Sequence, residues 1–175
     1  MTRITRPRDD EPIRLVTTKS GHRYRAVVNT GHHPDGKRRQ ETQTFDGIRE
    51  ARRWVDKTRT SVDSGTYVAP TRTTVDGLCD LWLASRHDVR PITRNCYRSV
   101  LLSVRSRLGH RPVQDIRPSH INEFVQWLAT EGGKSGSGVS HRTIVLTLGT
   151  MKQMFRYAVA EGLVAWSPAQ VVKAV

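Results

Sequence analysis

The sequence predicts an α+β protein, in which a small three-stranded antiparallel sheet with one helix precedes an all-α bundle of four or five helices. Two observations support this prediction. Apolar residues recur with a period of two before residue 46 and with a period near 3.6 after residue 48. A stretch without periodicity, which contains Pro70, then separates the first helix from the later ones. We therefore expect two domains, at residues 13–64 and 74–175, and a linker at residues 65–73.

The sheet is predicted from short segments of strand character that are separated by turn residues. Gly21 can adopt a positive φ in the first turn, and Pro34-Asp35-Gly36 gives the second turn a fixed φ followed by a glycine. These signals predict an antiparallel meander. The expected strands span residues 13–18, 23–30 and 38–45.

One helix is expected to cover a face of this sheet, since three strands alone bury too little surface to be stable. It begins at about Ile48, with Asp46 as its expected N-cap, and ends at Gly65. Its expected core-facing residues are Ile48, Ala51, Val55, Thr58 and Val62. Ahead of the sheet, residues 1–12 mix charges of both signs with prolines, and we expect a flexible basic arm that orders only on a partner.

Beyond the linker, apolar residues repeat at helical spacing in four segments. The expected boundary residues are the N-caps Thr74 and Ser140, the first-turn residue Pro118, and the terminating glycines Gly109 and Gly162. The expected core stripes are Val75, Leu78, Cys79 and Trp82; Tyr97, Val100, Leu101, Val104 and Leu108; Ile121, Phe124, Val125 and Leu128; and Ile144, Leu148, Met151, Phe155 and Val159. Ser167-Pro168-Ala169 can open a short fifth helix.

Charge points to the class of partner. The chain has 29 Lys and Arg against 16 Asp and Glu, a formal net charge of +13, and both halves of the chain share the excess. Such a protein favours a polyanion, either nucleic acid or an anionic membrane surface. No apolar run is long enough to span a bilayer, and the N-terminus lacks the apolar core of a signal peptide. We therefore expect a soluble intracellular protein, in the cytoplasm, whose default partner is nucleic acid or an anionic membrane surface.

The residues that usually carry catalysis or bind metals form no recognisable motif. Cys79 and Cys96 are isolated and are expected to be small core residues. His32-His33 and Asp35 lie in a turn where neighbouring side chains diverge, and the Gly-Lys-Ser at residues 133–135 lacks the spacing of a phosphate-binding loop. We therefore expect no catalytic residue, no metal and no cofactor in this chain.

The second and third strands carry candidate base-reading residues. Tyr24, Ala26 and Val28 can face the helix, while Arg25 and Asn29 face outward. A solvated face explains this pattern; the alternative is a sheet in the major groove, where Arg reads guanine and Asn or Gln reads adenine. The candidate residues are Arg23, Arg25, Asn29, Lys37, Arg38, Arg39, Gln40 and Thr42.

Basic residues also fall into register on two of the later helices. Arg94, Arg98 and Arg105 project within about 40° of one another at 100° per residue. Arg142, Lys152 and Arg156 share a sector of about 80° with Gly149 and Gln153, and the glycine would let a DNA backbone approach. The candidate DNA-binding residues of the bundle are Arg94, Arg98, Arg105, Lys134, His141, Arg142, Lys152 and Arg156.

Several short motifs follow one another along the chain in a distinctive order. In the first domain the motifs are Tyr24-Arg25-Ala26-Val27-Val28, Pro34-Asp35-Gly36-Lys37-Arg38-Arg39, Thr44-Phe45 and Glu50-Ala51-x-x-Trp54. This domain resembles the arm-type DNA-binding domain of phage and transposon integrases, an AP2-like sheet with one helix.

The second domain is similar to the SAM-like core-binding domain of tyrosine recombinases. The motifs behind this resemblance are Thr93-x-x-x-Tyr97, Leu108-Gly109, Ser140-x-x-Thr143-Ile144, Phe155-x-x-Ala158 and Gly162-Leu163-Val164. Ser167-Pro168 stands where the family usually has Asn-Pro. The motifs of both domains extend over nearly the whole sequence.

The resemblance implies binding to double-stranded DNA at arm-type and core-type sites, in the service of viral genome integration in a bacterial host. It also implies self-association on DNA, as a tetramer of the full-length protein, and a DNA-bending host factor. The family cleaves DNA through a tyrosine in a carboxy-terminal catalytic domain, without metal or cofactor. No tyrosine here matches that nucleophile, so we expect this chain to be a fragment of a recombinase and not itself an enzyme.

Two other functions stay open. A freestanding AP2-like regulator or excision factor would form a stable dimer without DNA. A helical adaptor for protein partners would associate independently of salt, whereas binding through phosphate contacts weakens steeply as salt rises.

Overall fold

The computed structural model describes residues 5–19, 21–32, 36–133 and 136–174. The chain divides into two compact units, Met1–Tyr67 and Val68–Val175, which we call the sheet unit and the helical unit. Each has its own apolar core, and together they confirm the predicted α+β fold class. None of the helices in the described ranges combines the length and apolar composition that crossing a membrane requires.

The sheet of the first unit is antiparallel, with its longest strand in the centre. Its strands are β1 (Ile13–Thr18), β2 (Gly21–His32) and β3 (Arg38–Phe45), in the order β1-β2-β3. β2 is longer than predicted because its pairing with β1 extends to Gly21 and its pairing with β3 extends to His32. Most of the predicted second turn, residues 33–35, lies outside the described ranges.

Helix α1 (Ile48–Asp63) covers one face of this sheet. Tyr24, Ala26 and Val28 alternate along β2 and are buried on that face, as the pattern predicts. The core they form with α1 consists of Ile13, Tyr24, Ala26, Val28, Ile48, Ala51 and Val55. Burial against α1 supplies the apolar surface that an isolated three-stranded sheet lacks.

Asp46 does not cap α1, contrary to the prediction. The N-cap is Gly47, which has extended backbone dihedrals and no side chain to accept a hydrogen bond. The Asp46 carboxylate instead pairs with Nε of Arg23 at 3.1 Å. The acidic residue before the helix therefore orients a strand arginine rather than the first turn of α1.

The segment before β1 has no regular secondary structure, but it is attached to the sheet unit. The Glu11 carboxylate accepts hydrogen bonds from Nε and Nη2 of Arg52 at 2.9–3.2 Å. The hydroxyl of Tyr24 donates to the carbonyl oxygen of Thr5 at 2.8 Å. Residues 5–12 thus differ from the expected arm that orders only on a partner.

The helical unit contains α2 (Val75–Ser85), α3 (Pro91–Leu108), α4 (Pro118–Thr130) and α5 (His141–Ala160), with a short 3-10 turn at Val113–Asp115. Three predicted boundaries are confirmed. The Thr74 hydroxyl accepts a hydrogen bond from the amide of Gly77 at 3.2 Å. The Ser140 hydroxyl accepts one from the amide of Thr143 at 3.3 Å. Pro118 opens α4, where its missing N–H costs no helical hydrogen bond.

The four helices enclose a single core whose largest fully buried side chains are Trp82, Phe124 and Phe155. Cys79 lies in this core, as predicted. Cys96 is exposed on α3, so the prediction that both cysteines are core residues is wrong for this position. The sequence did not indicate which face of α3 carries Cys96, because the apolar stripe of this helix becomes continuous only from Tyr97 onward.

The alternative with a fifth helix is wrong. After Gly162 the chain forms turns, with hydrogen bonds from the amide of Gln170 to the carbonyl of Ser167 and from Val172 to Ala169. Ala169 and Val172 are nevertheless buried in the core of the helical unit. The apolar residues that suggested a helix are explained by packing of an irregular segment.

Candidate nucleic-acid interfaces

The face of the sheet opposite α1 is mostly polar and exposed, with Val16 and Val27 half-buried among its side chains. Arg14 pairs with Arg25 across β1 and β2, and Arg25 pairs with Thr44 across β2 and β3. Two pairs further along the same face, Asn29 pairs with Gln40. Paired residues project to the same side of a sheet, so these side chains share one surface. This surface, which we call the polar sheet face, comprises Arg14, Arg23, Arg25, Asn29, Arg38, Gln40, Thr42 and Thr44, all of them exposed.

The polar sheet face combines cations with amides and hydroxyls, and the strands contribute no carboxylate to it. Arg14 and Arg25 form no ion pair within the described part of the chain, whereas Arg23 is held by Asp46. Asn29 lies beside a bulge, where its Oδ1 accepts a hydrogen bond from the amide of Gly31 at 3.3 Å. That bond fixes the carboxamide and leaves its NH₂ group to donate outward.

Six of the eight candidates in this unit lie on the polar sheet face: Arg23, Arg25, Asn29, Arg38, Gln40 and Thr42. Lys37 is exposed immediately before β3. Arg39 alternates with Arg38 and Gln40 along β3, so it lies on the opposite face of the sheet, the α1 side, with Glu41. There both residues influence Tyr67, whose pKa is raised to about 12, first by burial and then by the nearby Glu41 carboxylate.

Sequence reasoning missed Arg14 and Thr44. Successive residues of β1 point to opposite faces of the sheet, so Arg14 points away from the face on which Ile13 is buried. This alternation is visible in the sequence. What the sequence did not supply was the register that brings Arg14 and Thr44 to the two sides of Arg25.

On α3, the side that carries Arg94, Arg98 and Arg105 faces α2. The Arg94 guanidinium donates to the carbonyl oxygen of Leu83 from Nε at 3.2 Å and from Nη2 at 2.9 Å. Leu83 lies in the last turn of α2, where carbonyls lack helical partners. Arg94 therefore joins two helices.

Arg105 has the same role at the other end of α2. Its Nη1 contacts Asp76 and its Nη2 contacts Asp80, each at 2.5 Å. The hydrogen bond to Asp80 is the main reason that the pKa of Arg105 is raised, and the bond to Asp76 adds to it. Of the three aligned arginines, Arg98 is the exposed one, and its Nη1 donates to Asn95 at 2.9 Å.

On α5, the basic sector faces solvent. Arg142 and Arg156 are exposed, Lys152 and Gln153 are half-buried, and a Cβ added at Gly149 would meet no atom within 4 Å. The three cations form no ion pair within the described residues. We call this outward stripe, which consists of Arg142, Val145, Leu146, Gly149, Lys152, Gln153 and Arg156, the α5 stripe.

Two candidates of the helical unit remain. His141 is exposed and is the first residue of the helix. Lys134 lies outside the described residues. In the described ranges, no three His, Cys, Asp or Glu side chains come close enough to hold a metal ion.

Comparison with known proteins identifies the helical unit. Residues 80–162 match the family model of the phage integrase N-terminal SAM-like domain. The helical unit is therefore similar to a domain of phage integrases. The match confirms the resemblance to tyrosine recombinases that the sequence motifs indicate. Comparison with curated proteins gives no match.

Solved integrase structures share the fold. An integrase-like domain from Bacillus cereus is 19% identical, with a TM-score of 0.54, over 61% of this chain and 87% of that domain. A fragment from Clostridium leptum is also 19% identical, with a TM-score of 0.50, over 59% of this chain and 90% of its own.

A crystal structure of a lambda integrase dimer bound to a COC′ core site matches across both units. It is 21% identical to this chain, with a TM-score of 0.51, and the match covers 96% of this chain. The present chain spans only 47% of the length of that lambda integrase chain.

Proposed function

We propose that this chain is the DNA-binding region of a phage-type integrase that serves site-specific recombination. In this proposal the sheet unit binds arm-type sites and the helical unit binds a core-type site. The observation that carries the proposal is the register of the polar sheet face, in which Arg25 lies between Arg14 and Thr44 and no strand carboxylate opposes them.

The chemistry of the polar sheet face suits the major groove. Arginine can donate two hydrogen bonds to O6 and N7 of guanine, and asparagine or glutamine can pair with N6 and N7 of adenine. Arg25, Asn29 and Gln40 offer both kinds of group within one patch. Arg14, Thr42 and Thr44 surround them with groups that suit phosphate oxygens.

The helical unit offers a second cationic surface, the α5 stripe. Arg142 and Arg156 lie fourteen residues apart on α5, which at 1.5 Å per residue is about 21 Å. Cations at this separation can contact phosphates on both sides of a major groove about 12 Å wide. Gly149 keeps the middle of the stripe low enough for close approach.

Several further expectations follow from the integrase family. The lambda integrase structure is a dimer on a core site, and we propose that copies of the present protein likewise assemble on DNA, as a tetramer in the full-length form. Strand cleavage would come from a catalytic domain outside these residues, and a host factor that bends DNA would bring arm and core sites together. Recombination would take place at the bacterial nucleoid, in the cytoplasm.

Footprinting with variants of the 175-residue chain tests the proposal. Duplexes are first selected from a random pool by the unmodified chain at low salt. We expect two separable protected regions, one lost in the Arg25→Ala, Asn29→Ala variant and the other lost in the Arg142→Ala, Arg156→Ala variant. One continuous footprint that both variants lose together would contradict the assignment of separate sites. A stable dimer in the absence of DNA, measured by sedimentation, would favour the regulator instead.

Salt dependence provides an independent readout. Each phosphate that a protein cation neutralises contributes about −0.9 to the slope of log K against log salt on B-form DNA. The Arg142→Ala, Arg156→Ala variant should have a shallower slope than the unmodified chain, because both arginines are placed on phosphates. An affinity that does not change with salt would favour a protein adaptor.

A further inference from the structure

Two exposed apolar side chains lie in the amino-terminal half of the α5 stripe. Val145 is 47% exposed and Leu146 is 42% exposed, next to each other in the sequence and one turn before Gly149. Single exposed apolar residues are common on protein surfaces and need no explanation. These two are unusual in their setting, because Arg142 precedes them and Lys152 and Arg156 follow them on the same side of the helix.

The helix periodicity fixes how these residues are arranged. At 100° per residue, Val145 and Leu146 lie on the two sides of the line that joins Arg142 and Gly149. The stripe therefore has cations at its ends, an apolar pair toward its amino-terminal half, and a glycine with open space around it in the middle. When the cations of such a surface bind two rows of anionic groups, the apolar pair is placed against whatever lies between those rows.

The size and charge of the stripe favour a polyanion over a protein partner. Its two exposed apolar side chains offer far less than the roughly 800 Å² that each partner buries in a stable complex. By contrast, the three cations of the stripe have no carboxylate partner within the described residues, unlike Arg105, which has two. They complement a polyanion.

We propose that Val145 and Leu146 read thymine methyl groups in the major groove of the site that α5 contacts, so that they are specificity-determining residues of the helical unit. This inference rests on the proposed function. The C5-methyl of thymine is the one apolar group that base pairs present in that groove, and apolar side chains are its usual partners. The cations of the stripe supply affinity that is independent of sequence, and the apolar pair selects thymine.

The test replaces thymine by uracil, which removes the methyl group and keeps base pairing. The full chain carrying Arg25→Ala and Asn29→Ala selects duplexes from a random pool, so that the enriched motif reports the helical unit. Each thymine of the motif is then replaced singly by uracil. Affinities are measured for this chain and for the same chain with Val145→Ser or Leu146→Ser. Leu81→Ser is the matched control, since Leu81 is 45% exposed on α2, away from the stripe.

We expect uracil at one or two positions to weaken binding about four-fold each. That factor corresponds to about 0.8 kcal/mol for one buried methyl group. Val145→Ser or Leu146→Ser should weaken binding to the thymine duplex by a similar factor and remove the difference between thymine and uracil. Leu81→Ser should behave like the parent chain. Unchanged melting temperatures of the two serine variants would show that their fold is intact.

Three results would overturn the inference: a motif without thymine, equal binding of thymine and uracil duplexes by the parent chain, or serine variants that lose affinity equally for both. The uracil comparison needs only the parent chain, so it decides the matter even where a serine variant does not fold. Failure of the unmodified chain to bind any duplex at low salt is a different outcome, because it refutes the proposed function itself.

Discussion

Gln114 joins the segment before α2 to the segment after α5 within the helical unit. Its Nε2 donates to the carbonyl oxygen of Ala69 at 2.8 Å and to that of Leu163 at 3.0 Å, and its Oε1 accepts a hydrogen bond from the amide of Thr71 at 3.3 Å. The residues expected to form a free linker, 65–73, are thus fixed at Ala69 and Thr71. One exposed carboxamide restrains the chain just where it enters the helical unit.

Replacing Gln114 by alanine should release this segment. The three hydrogen bonds are lost together, so the backbone around Arg72 opens more often, and trypsin should cleave after Arg72 several-fold faster at native conditions. Gln126→Ala is the matched control, because Gln126 is an exposed glutamine on α4 whose side chain makes no such contact. Equal cleavage rates in the two variants would show that Gln114 does not restrain the segment.

Arg105 is expected to contribute to stability rather than to DNA binding. Its guanidinium bridges Asp76 and Asp80, and it is 23% exposed, whereas the two carboxylates are more than half exposed. Because solvent screens the carboxylates, Arg105→Ala should lower the free energy of unfolding by about 1–2 kcal/mol, measured by urea denaturation.

Arg98→Ala is the comparison for that experiment, since Arg98 is exposed on the same side of α3. Its stability should change by less than about 0.5 kcal/mol. If Arg98→Ala destabilised the chain as much as Arg105→Ala does, the ion pairs of Arg105 would not be the cause.

The periodic parts of the fold could be predicted from the sequence because each depends on neighbours within one element. The apolar stripe Val75, Leu78, Cys79 and Trp82 is buried, and Thr74 caps that helix through an amide three residues away. Asp46 was predicted wrongly because two partners compete for it. The helix amides are local, whereas Arg23 reaches it only once the sheet has formed.

The candidate sites could be predicted only in part, for the same reason. Helical geometry correctly places Arg94 and Arg105 on one side of α3, but it gives no information about the element opposite. Asp76 and Asp80 lie more than twenty residues earlier, on α2. The place of Arg14 in the polar sheet face likewise depends on the register between β1 and β2. Pairings between elements, rather than faces within them, were what the sequence left undetermined.

The two cysteines should differ sharply in reactivity. Cys96 is exposed on α3, while Cys79 is buried with its Sγ 3.5 Å from Sδ of Met154. Burial raises the pKa of the Cys79 thiol to about 12, so almost no thiolate is present there at pH 8. A thiol-disulfide reagent at pH 8 should therefore modify one cysteine in the folded chain and two in denaturant.

The variant Cys96→Ser checks the assignment, because it should eliminate the fast reaction of the folded chain. Rapid modification of both thiols without denaturant would mean that the core around Cys79 opens readily, contrary to its complete burial.

Arg14 and Arg39 provide the sharpest test of which sheet face binds DNA. Both are exposed strand arginines of equal charge, but Arg14 is paired with Arg25 on the polar sheet face, and Arg39 lies on the α1 side with Glu41. Arg14→Ala should weaken binding to a duplex selected by the sheet unit by about 1–3 kcal/mol if it contacts a base, and should reduce the salt slope by about 0.9 if it contacts a phosphate. Arg39→Ala should change binding far less. A general effect of net charge would be the same for both variants, so titrating them side by side separates contact from charge. If Arg39→Ala lost as much DNA affinity as Arg14→Ala, the polar sheet face would be ruled out as the binding surface.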